Sequence, residues 1–330
     1  MTTDAPTLIT GASGFVGRAL CRHLIQRGHR VRAFVRDPTS VVTLADRSLE
    51  IVAGDVLDAE SLERASRGCA GVFHLAAVTT WTPNPRGPLW SVNVEGTRNV
   101  ARSAAAAGMQ RFVLASSVGV YGGRPPPLAD ETTTPNPDTA YRESKLAAEE
   151  AVRSIALNEG LEHVIARLAT VFGPGSDRWL AWVRTIAAGR FRMIGRGRNH
   201  LHEVHVADVV DGMERCMITS GISGKSYILA SAEPVELGRV VESIADELGI
   251  ALPSLRWPGG PFRALRLAEA GLRNRLNREP SLTQRYNLFL EDRRFSIARA
   301  RTELGYNPRI DLLDGLTREA RRFRDCGRLR

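Results

Sequence analysis

Lysine is almost missing from this 330-residue chain: only Lys145 and Lys225 stand among 45 basic side chains, the rest being arginine. Cysteine is also sparse. Its four copies (Cys21, Cys69, Cys216, Cys326) lie far apart and form no C-x-x-C, which reads as free thiols in a reducing compartment rather than a disulfide framework. No apolar run approaches the ~18 residues of a membrane span, no signal-peptide pattern precedes the first strand, and no internal repeat is visible. The expectation is a soluble, cytoplasmic protein without stable membrane insertion. Aromatic residues make up only 6% and do not interleave with basic blocks. The net charge of +9 is therefore read as an arginine-rich habit spread along the chain, not as a nucleic-acid footprint. At 43% hydrophobic content the chain can bury a large core, as one α/β unit or as two lobes.

What is present centres on Ser116-Ser117-Val118-Gly119-Val120-Tyr121, followed by Tyr141-Arg142-Glu143-Ser144-Lys145. On a helix Tyr141 and Lys145 stand four apart on one face, a phenol beside an ammonium. That pair suits proton exchange with a substrate oxygen, provided the phenol, with an ordinary pKa of ~10, is brought toward neutrality. In a chain that otherwise uses arginine, a lysine here asks for a compact amine rather than a planar guanidinium. Ser117, at a strand end, could donate a hydrogen bond to the same oxygen.

The N-terminus supplies context. Pro6 to Thr10 reads as a buried strand, Gly11-Ala12-Ser13-Gly14-Phe15-Val16-Gly17 turns it into a helix to about Arg27, and His29 to Val35 forms a second strand. Glycines at 14 and 17 let the backbone approach a pyrophosphate at the helix N-terminus. At the end of the second strand an acid would meet the ribose 2′-hydroxyl of NAD, whereas an arginine would pair with the 2′-phosphate of NADP. Arg36 stands there and Asp37 lies beyond the usual spot, so NADP(H) is favoured over NAD(H).

The spacing Thr10-Gly11-x-x-Gly14-x-x-Gly17 resembles that of the extended short-chain dehydrogenases/reductases, and further motifs follow in order. Gly54-Asp55-Val56-Leu57-Asp58 resembles the family's G-D-x-x-D, which implies that Asp55 meets the adenine. His74-Leu75-Ala76-Ala77 resembles H-x-A-A, with Ala76 and Ala77 lining the cofactor and His74 a packed histidine. Asn93-Val94-Glu95-Gly96-Thr97 resembles N-x-x-G-T, with Asn93 structural or bonded to the active-site helix. Arg167 and Leu168 stand for the Arg-Pro of R-P-x-x-V-Y-G-P-G, and Phe295 to Pro308 resembles the closing A-x-x-x-L-G-y-x-P. The resemblance implies an α/β fold, a doubly wound parallel sheet (Rossmann) spanning 1–174 and re-entered by about 202–231. A smaller, mostly C-terminal α/β substrate lobe would take 175–201 and 232–330. It selects Ser117 over Ser116 and implies Ser117, Tyr141 and Lys145 as catalytic residues. It also brings Gly11, Gly14, Phe15, Val16, Gly17, Arg36, Asp55, Val56, Leu75, Ala76, Ala77, Ser116, Leu168 and Val171, with Tyr141 and Lys145, to the cofactor.

The group resembled most is that of the 3β-hydroxysteroid dehydrogenases and dihydroflavonol reductases. Nucleotide-sugar epimerases and dehydratases usually carry Asn where this chain has Thr170, which argues against their substrates. The leading expectation is a ketone reductase or alcohol dehydrogenase for a small apolar substrate. An epimerase with tightly bound NAD and a non-catalytic dinucleotide sensor are the alternatives. Thr79, Trp81 and Trp179, with Ser117 and Tyr141, are expected at the substrate; the aromatics of loop 78–92 could equally form that loop's own core. His202 and His205 point to opposite faces of a strand without completing a ligand set, so no metal is expected. A homodimer through the 93–107 and 141–157 helices is implied by the resemblance.

Overall fold

Short apolar runs become the strands of a parallel sheet, because strands covered on both faces need no polar alternation. The computed structural model describes residues 5–44, 46–79, 87–253, 256–276 and 286–329. The strands are β1 (Thr7–Thr10), β2 (Val31–Val35), β3 (Leu49–Ala53), β4 (Gly71–His74), β5 (Arg111–Ser117), β6 (His163–Leu168), β7 (Thr170–Phe172), β8 (His200–Leu201), β9 (Glu203–His205), β10 (Ser226–Leu229) and β11 (Val235–Glu236). Seven of them form one sheet in the order β10-β6-β5-β4-β1-β2-β3, all neighbours parallel. Every residue of β1, β4 and β6 is buried. The chain runs outward from β1 to β3, then returns to the other side of β1 as β4. The carboxyl ends of β1 and β4 therefore flank the switch point, the place where such sheets open a ligand crevice.

The helices are α1 (Phe15–Gln26), α2 (Ala59–Ser66), α3 (Pro88–Trp90), α4 (Gly96–Ala106), α5 (Ala140–Glu159), α6 (Leu180–Ala187), α7 (Val206–Ile218), α8 (Leu237–Leu248), α9 (Gly259–Leu276), α10 (Asn287–Leu290), α11 (Ala298–Leu304) and α12 (Leu312–Asp325). Leu20 and Leu24 of α1 join Val209 and Met213 of α7 in one apolar cluster on the sheet. Val100 and Ala104 of α4 join Val152 and Ile155 of α5 in a second. A third gathers Phe172, Trp179, Val183, Val240, Leu316 and Phe323, beyond the end of β6. Helix α5 is framed by its ends: Thr139 caps it by accepting from the Arg142 amide at 3.3 Å, and Gly160 closes it at φ +71°.

One expected boundary moves. The helix expected from Asn93 begins earlier, with the single turn α3 and then a π-helical turn over Ser91–Glu95. The wider turn leaves Asn93 buried, where it bonds inward. Sheet pairing of β4 stops at His74, its last rung being the Leu75 amide on the Thr10 carbonyl at 3.1 Å. Among the described residues no helix is long and apolar enough to cross a membrane.

At the far end of β6, His163 is 8% exposed and neither ring nitrogen has a hydrogen-bond partner among the described residues. Burial holds its pKa below the ordinary 6.5, against a partial pull from the Leu161 backbone. A buried polar group left unpaired costs about 1–3 kcal/mol, so His163→Leu is expected to raise the unfolding free energy by roughly 1 kcal/mol at pH 7. The unfolded chain protonates this histidine first, so the native protein binds fewer protons and loses its contribution as pH falls below about 6.5. The advantage of the leucine variant should therefore grow from pH 7 to pH 5 in thermal melts. An unchanged or lowered melting temperature would contradict this.

Candidate active site

The loop after β1 is shaped by contacts only glycine permits. Gly11 has φ +70°, and a Cβ there would stand 2.6 Å from the Ala76 nitrogen and 2.7 Å from the Leu75 carbonyl carbon. A Cβ on Gly17 would stand 2.2 Å from the Gly11 carbonyl oxygen, so α1 presses directly on the loop. Gly14 is the N-cap of α1, without a side-chain capping bond and without an acid in the first turn. Among the described residues no side-chain bond caps the leading amides of α1, and no acid in its first turn offsets the positive end of the helix. That is the chemistry of an anion cradle at the switch point. Phe15 lies along Gly175, where a Cβ would be 3.5 Å from its ring, and Val16 packs half-buried on the core.

Arg36 and Asp37 are exposed at the end of β2. Both Asp37 oxygens accept from the Thr39 hydroxyl, at 2.7 and 2.8 Å, and one also accepts from the Thr39 amide at 2.9 Å. These bonds hold the Asp37 carboxyl below its ordinary range, the Thr39 hydroxyl acting most. Arg36 makes no hydrogen bond or ion pair among the described residues. After β3, one Asp55 oxygen accepts from the Leu57 amide at 2.9 Å, while Val56 is buried against Gly96. Leu75, Ala76 and Ala77 leave β4 half-buried; Thr79 is exposed, and Trp81 lies outside the described residues.

His74 is buried between the Thr10 hydroxyl at 2.6 Å and the Thr97 hydroxyl at 2.9 Å. Burial first, and the charge of Lys145 second, lower its pKa to about 3. It stays a neutral packed histidine, as expected. Asn93 donates to the Ser144 hydroxyl at 2.9 Å and to the Val78 carbonyl at 3.1 Å, and accepts from the Val78 amide at 2.8 Å. It therefore ties the β4 exit to α5.

Lys145 is buried and donates to the Ala115 carbonyl of β5 at 2.6 Å. Burial lowers its pKa to about 8, with Glu149 opposing. Ser117 is half-buried and caps the 3₁₀ turn Val118–Tyr121, accepting from the Gly119 amide at 2.9 Å. A Cβ on Gly119 would stand 3.1 Å from both the Ser117 hydroxyl and Arg142 Cγ, so the serine abuts the first turn of α5. Tyr141 is half-buried and its phenol has no hydrogen-bond partner among the described residues. Burial raises the phenol's pKa above 10, with Arg142 opposing. The phenol is therefore not brought toward neutrality in this arrangement, where the Lys145 ammonium is turned to the Ala115 carbonyl.

The structure also revises several assignments. Trp179, expected against a substrate, is 4% exposed and gives its indole N–H to the buried Glu203 at 2.8 Å. It fills the third apolar cluster. The Ser116 hydroxyl is committed to Glu149 at 2.6 Å, and its backbone lies in the β5–β6 register opposite Arg167. Leu168 lies opposite Ser117 in the register of β5 and β6, and Val171 sits half-buried on β7. His202 accepts from the Phe295 amide at 3.0 Å and bonds the Ser231 carbonyl at 2.9 Å, while His205 caps α7 and Asp208 accepts from Arg309 and Ile310 amides. Among the described residues no cluster suited to a metal ion is found.

Glu149 escaped sequence reading. It is fully buried and receives Arg167 through two bonds, at 3.0 and 2.7 Å, while Arg167 also donates to the Tyr121 hydroxyl at 2.7 Å. The repeat Tyr141-x-x-x-Lys145-x-x-x-Glu149, one helix face, is the signal that could have found it.

Comparison with known proteins adds the lineage. Residues 7–230 match the model of the NAD dependent epimerase/dehydratase family. Sterol demethylase protein B of Methylococcus capsulatus is 33% identical over 313 residues, covering 92% of this chain and 93% of that protein. A 3-beta-hydroxysteroid dehydrogenase of Mycolicibacterium neoaurum is 31% identical over 322 residues, covering 91% of this chain and 86% of that protein. The crystal structure of gox2253 superposes with a TM-score of 0.82 at 32% identity, over 99% of this chain and 100% of that one. The chain belongs to the NAD dependent epimerase/dehydratase family, in its extended short-chain dehydrogenase/reductase branch and beside the 3β-hydroxysteroid dehydrogenases, and is an NAD(P)-dependent enzyme of that class.

Proposed function

We propose that the protein is an NADP-dependent oxidoreductase that reduces a ketone, or oxidises the corresponding secondary alcohol, of a small and fairly apolar steroid- or flavonoid-like substrate. The observation that carries this reading is Tyr141, an unpartnered phenol among the described residues, one helical turn before the buried ammonium of Lys145. The residues fit a dinucleotide. Gly11, Gly14 and Gly17, with the uncapped start of α1, would hold its pyrophosphate. Arg36 would pair with a 2′-phosphate, and Asp55 keeps one oxygen for the adenine amine. Leu75, Ala76, Ala77, Leu168 and Val171 would line the nicotinamide side. When bound, the cofactor supplies the hydride.

This chain's own groups handle the proton. The Ser117 oxygen accepts from the Gly119 amide, so its hydroxyl hydrogen is free to donate to a substrate carbonyl. Tyr141 would release its proton to that oxygen as it becomes an alcohol, and Lys145 would stabilise the phenolate left behind. Thr170, in place of the phosphate-binding Asn expected in nucleotide-sugar enzymes, and the name of the Mycolicibacterium relative support an apolar alcohol or ketone over a sugar nucleotide.

The same reading includes a substrate lobe built from 175–201 and 232–330, and a homodimer through α4 and α5. Leu157 on α5, 86% exposed, is an apolar side chain that such a dimer would cover.

The test is NADPH and NADH oxidation by the purified protein against ketosteroids, flavanonols and simple ketones. Turnover with NADPH is the expected result. No net oxidation, with dinucleotide retained through purification, would overturn the reading in favour of an epimerase.

A further inference from the structure

We propose that Glu149 is the positioning residue of this site: its buried carboxylate ties Ser116 on β5 and Arg167 on β6 to α5 one turn beyond Lys145, and its charge balances that ammonium. The inference rests on the reading of Ser117, Tyr141 and Lys145 as the reacting centre. Glu149 has no exposed surface, and each of its oxygens is engaged. One accepts from the Ser116 hydroxyl at 2.6 Å and from Arg167 Nε at 3.0 Å; the other accepts from Arg167 Nη2 at 2.7 Å. Ser116 is the residue between Ala115, whose carbonyl receives Lys145, and Ser117. Arg167 precedes Leu168, which is opposite Ser117 in the sheet, and its remaining arm holds the Tyr121 hydroxyl at the far end of the 3₁₀ turn that Ser117 caps. A single carboxylate thus joins the helix bearing Tyr141 and Lys145 to both ends of the Ser117 segment.

The charges around it are few. Facing Glu149 are Arg167 from β6 and Arg153 from α5, the latter at 3.5 Å and partly exposed. The hydroxyls of Ser116 and, through Arg167, Tyr121 complete that shell. The groups acting on or beside Lys145 are Glu149 and Tyr141 on its own helix and His74 from β4, which burial keeps neutral. Glu149 is therefore the anion that offsets the cost of burying an ammonium and a guanidinium together. Removing its charge while keeping its shape leaves both cations uncompensated, and the lysine is the one able to release a proton.

The chain's two lysines make this directly measurable. In full-length protein labelled with ¹³C-lysine, Lys145 and Lys225 give two side-chain signals, and Lys225→Arg identifies which belongs to Lys145. Wild-type Lys145 is expected to titrate near pH about 8. In Glu149→Gln its midpoint should fall by about one unit or more, while that of Lys225, 43% exposed and paired with Glu303, stays put. The alkaline limb of the ketone-reduction profile should move down by the same interval, whereas a purely structural lesion would lower the rate equally at all pH values. If Glu149→Gln alone does not fold, Glu149→Gln/Arg167→Gln removes one charge of each sign, and a smaller fall in the same direction is expected. A Lys145 midpoint unchanged in the folded variant overturns the proposal even where ketone reduction is intact. A lowered midpoint in a protein that reduces no ketone supports Glu149's hold on Lys145 and counts only against the reductase reading.

Discussion

Tyr141→Phe is expected to lower kcat for ketone reduction by about two orders of magnitude or more while leaving NADPH affinity within about twofold of wild type. The substitution removes one oxygen that bonds nothing among the described residues, so the fold loses no contact and only the proton donor disappears. The pH dependence has a defined sign. Burial keeps the phenol's pKa above 10, so in the reductive direction the donor is protonated throughout the neutral range. Lys145 is charged below about 8 and neutral above it. Reduction should therefore hold steady up to about pH 7 and decline as the lysine discharges, with Tyr141→Phe lacking activity across the whole range. The reverse reaction needs the phenolate and should instead gain with rising pH until the lysine is lost. Rates within a few-fold of wild type for Tyr141→Phe would sink the mechanism, and fluorescence titration with NADPH separates that outcome from lost cofactor binding.

The parts of this molecule that are legible in the sequence are those fixed by local rules. Buried parallel strands read as short apolar runs, and the Gly11, Gly14, Gly17 spacing announces a strand-to-helix turn because a Cβ at 11 or 17 would overlap backbone. Asn93 was readable as structural from the N-x-x-G-T resemblance and His74 as an ordinary packed histidine; the partners they bond, Thr10, Thr97 and Ser144, lie far along the chain. Trp179 was not readable as structural, since an indole beside a glycine-rich turn looks the same whether it walls a pocket or fills a core; only its bond to Glu203 decides. Glu149 and Arg167 lie 18 positions apart and Arg142 and Glu291 lie 149 apart, and no local period predicts such pairings. The balance of charge at Tyr141 was hidden too. A four-residue spacing brings Lys145 to the same helix face, but the burial that turns its ammonium to the Ala115 carbonyl is a property of the packed sheet.

Arg36 carries the second large effect. Its replacement by alanine is expected to raise the KM for NADPH by about 10- to 100-fold, since a charge-assisted bond to phosphate contributes about 1.5–3 kcal/mol and each 1.4 kcal/mol is tenfold. The KM for NADH should change by less than about threefold, because no phosphate stands where the arginine reaches. The geometry favours this assignment over the opposite one. Arg36 is exposed and unpaired among the described residues at the end of β2, whereas both oxygens of the adjacent Asp37 already accept from Thr39. Those bonds seat the Asp37 carboxylate in its own turn and hold it below the ordinary range. Steady-state kinetics of Arg36→Ala and Asp37→Ala with both cofactors decides between them. Loss of NADPH preference in the first and indifference in the second is the expected pair; the reverse pattern, with NADH use collapsing in Asp37→Ala, would make this an NAD enzyme whose arginine is only a solvated neighbour.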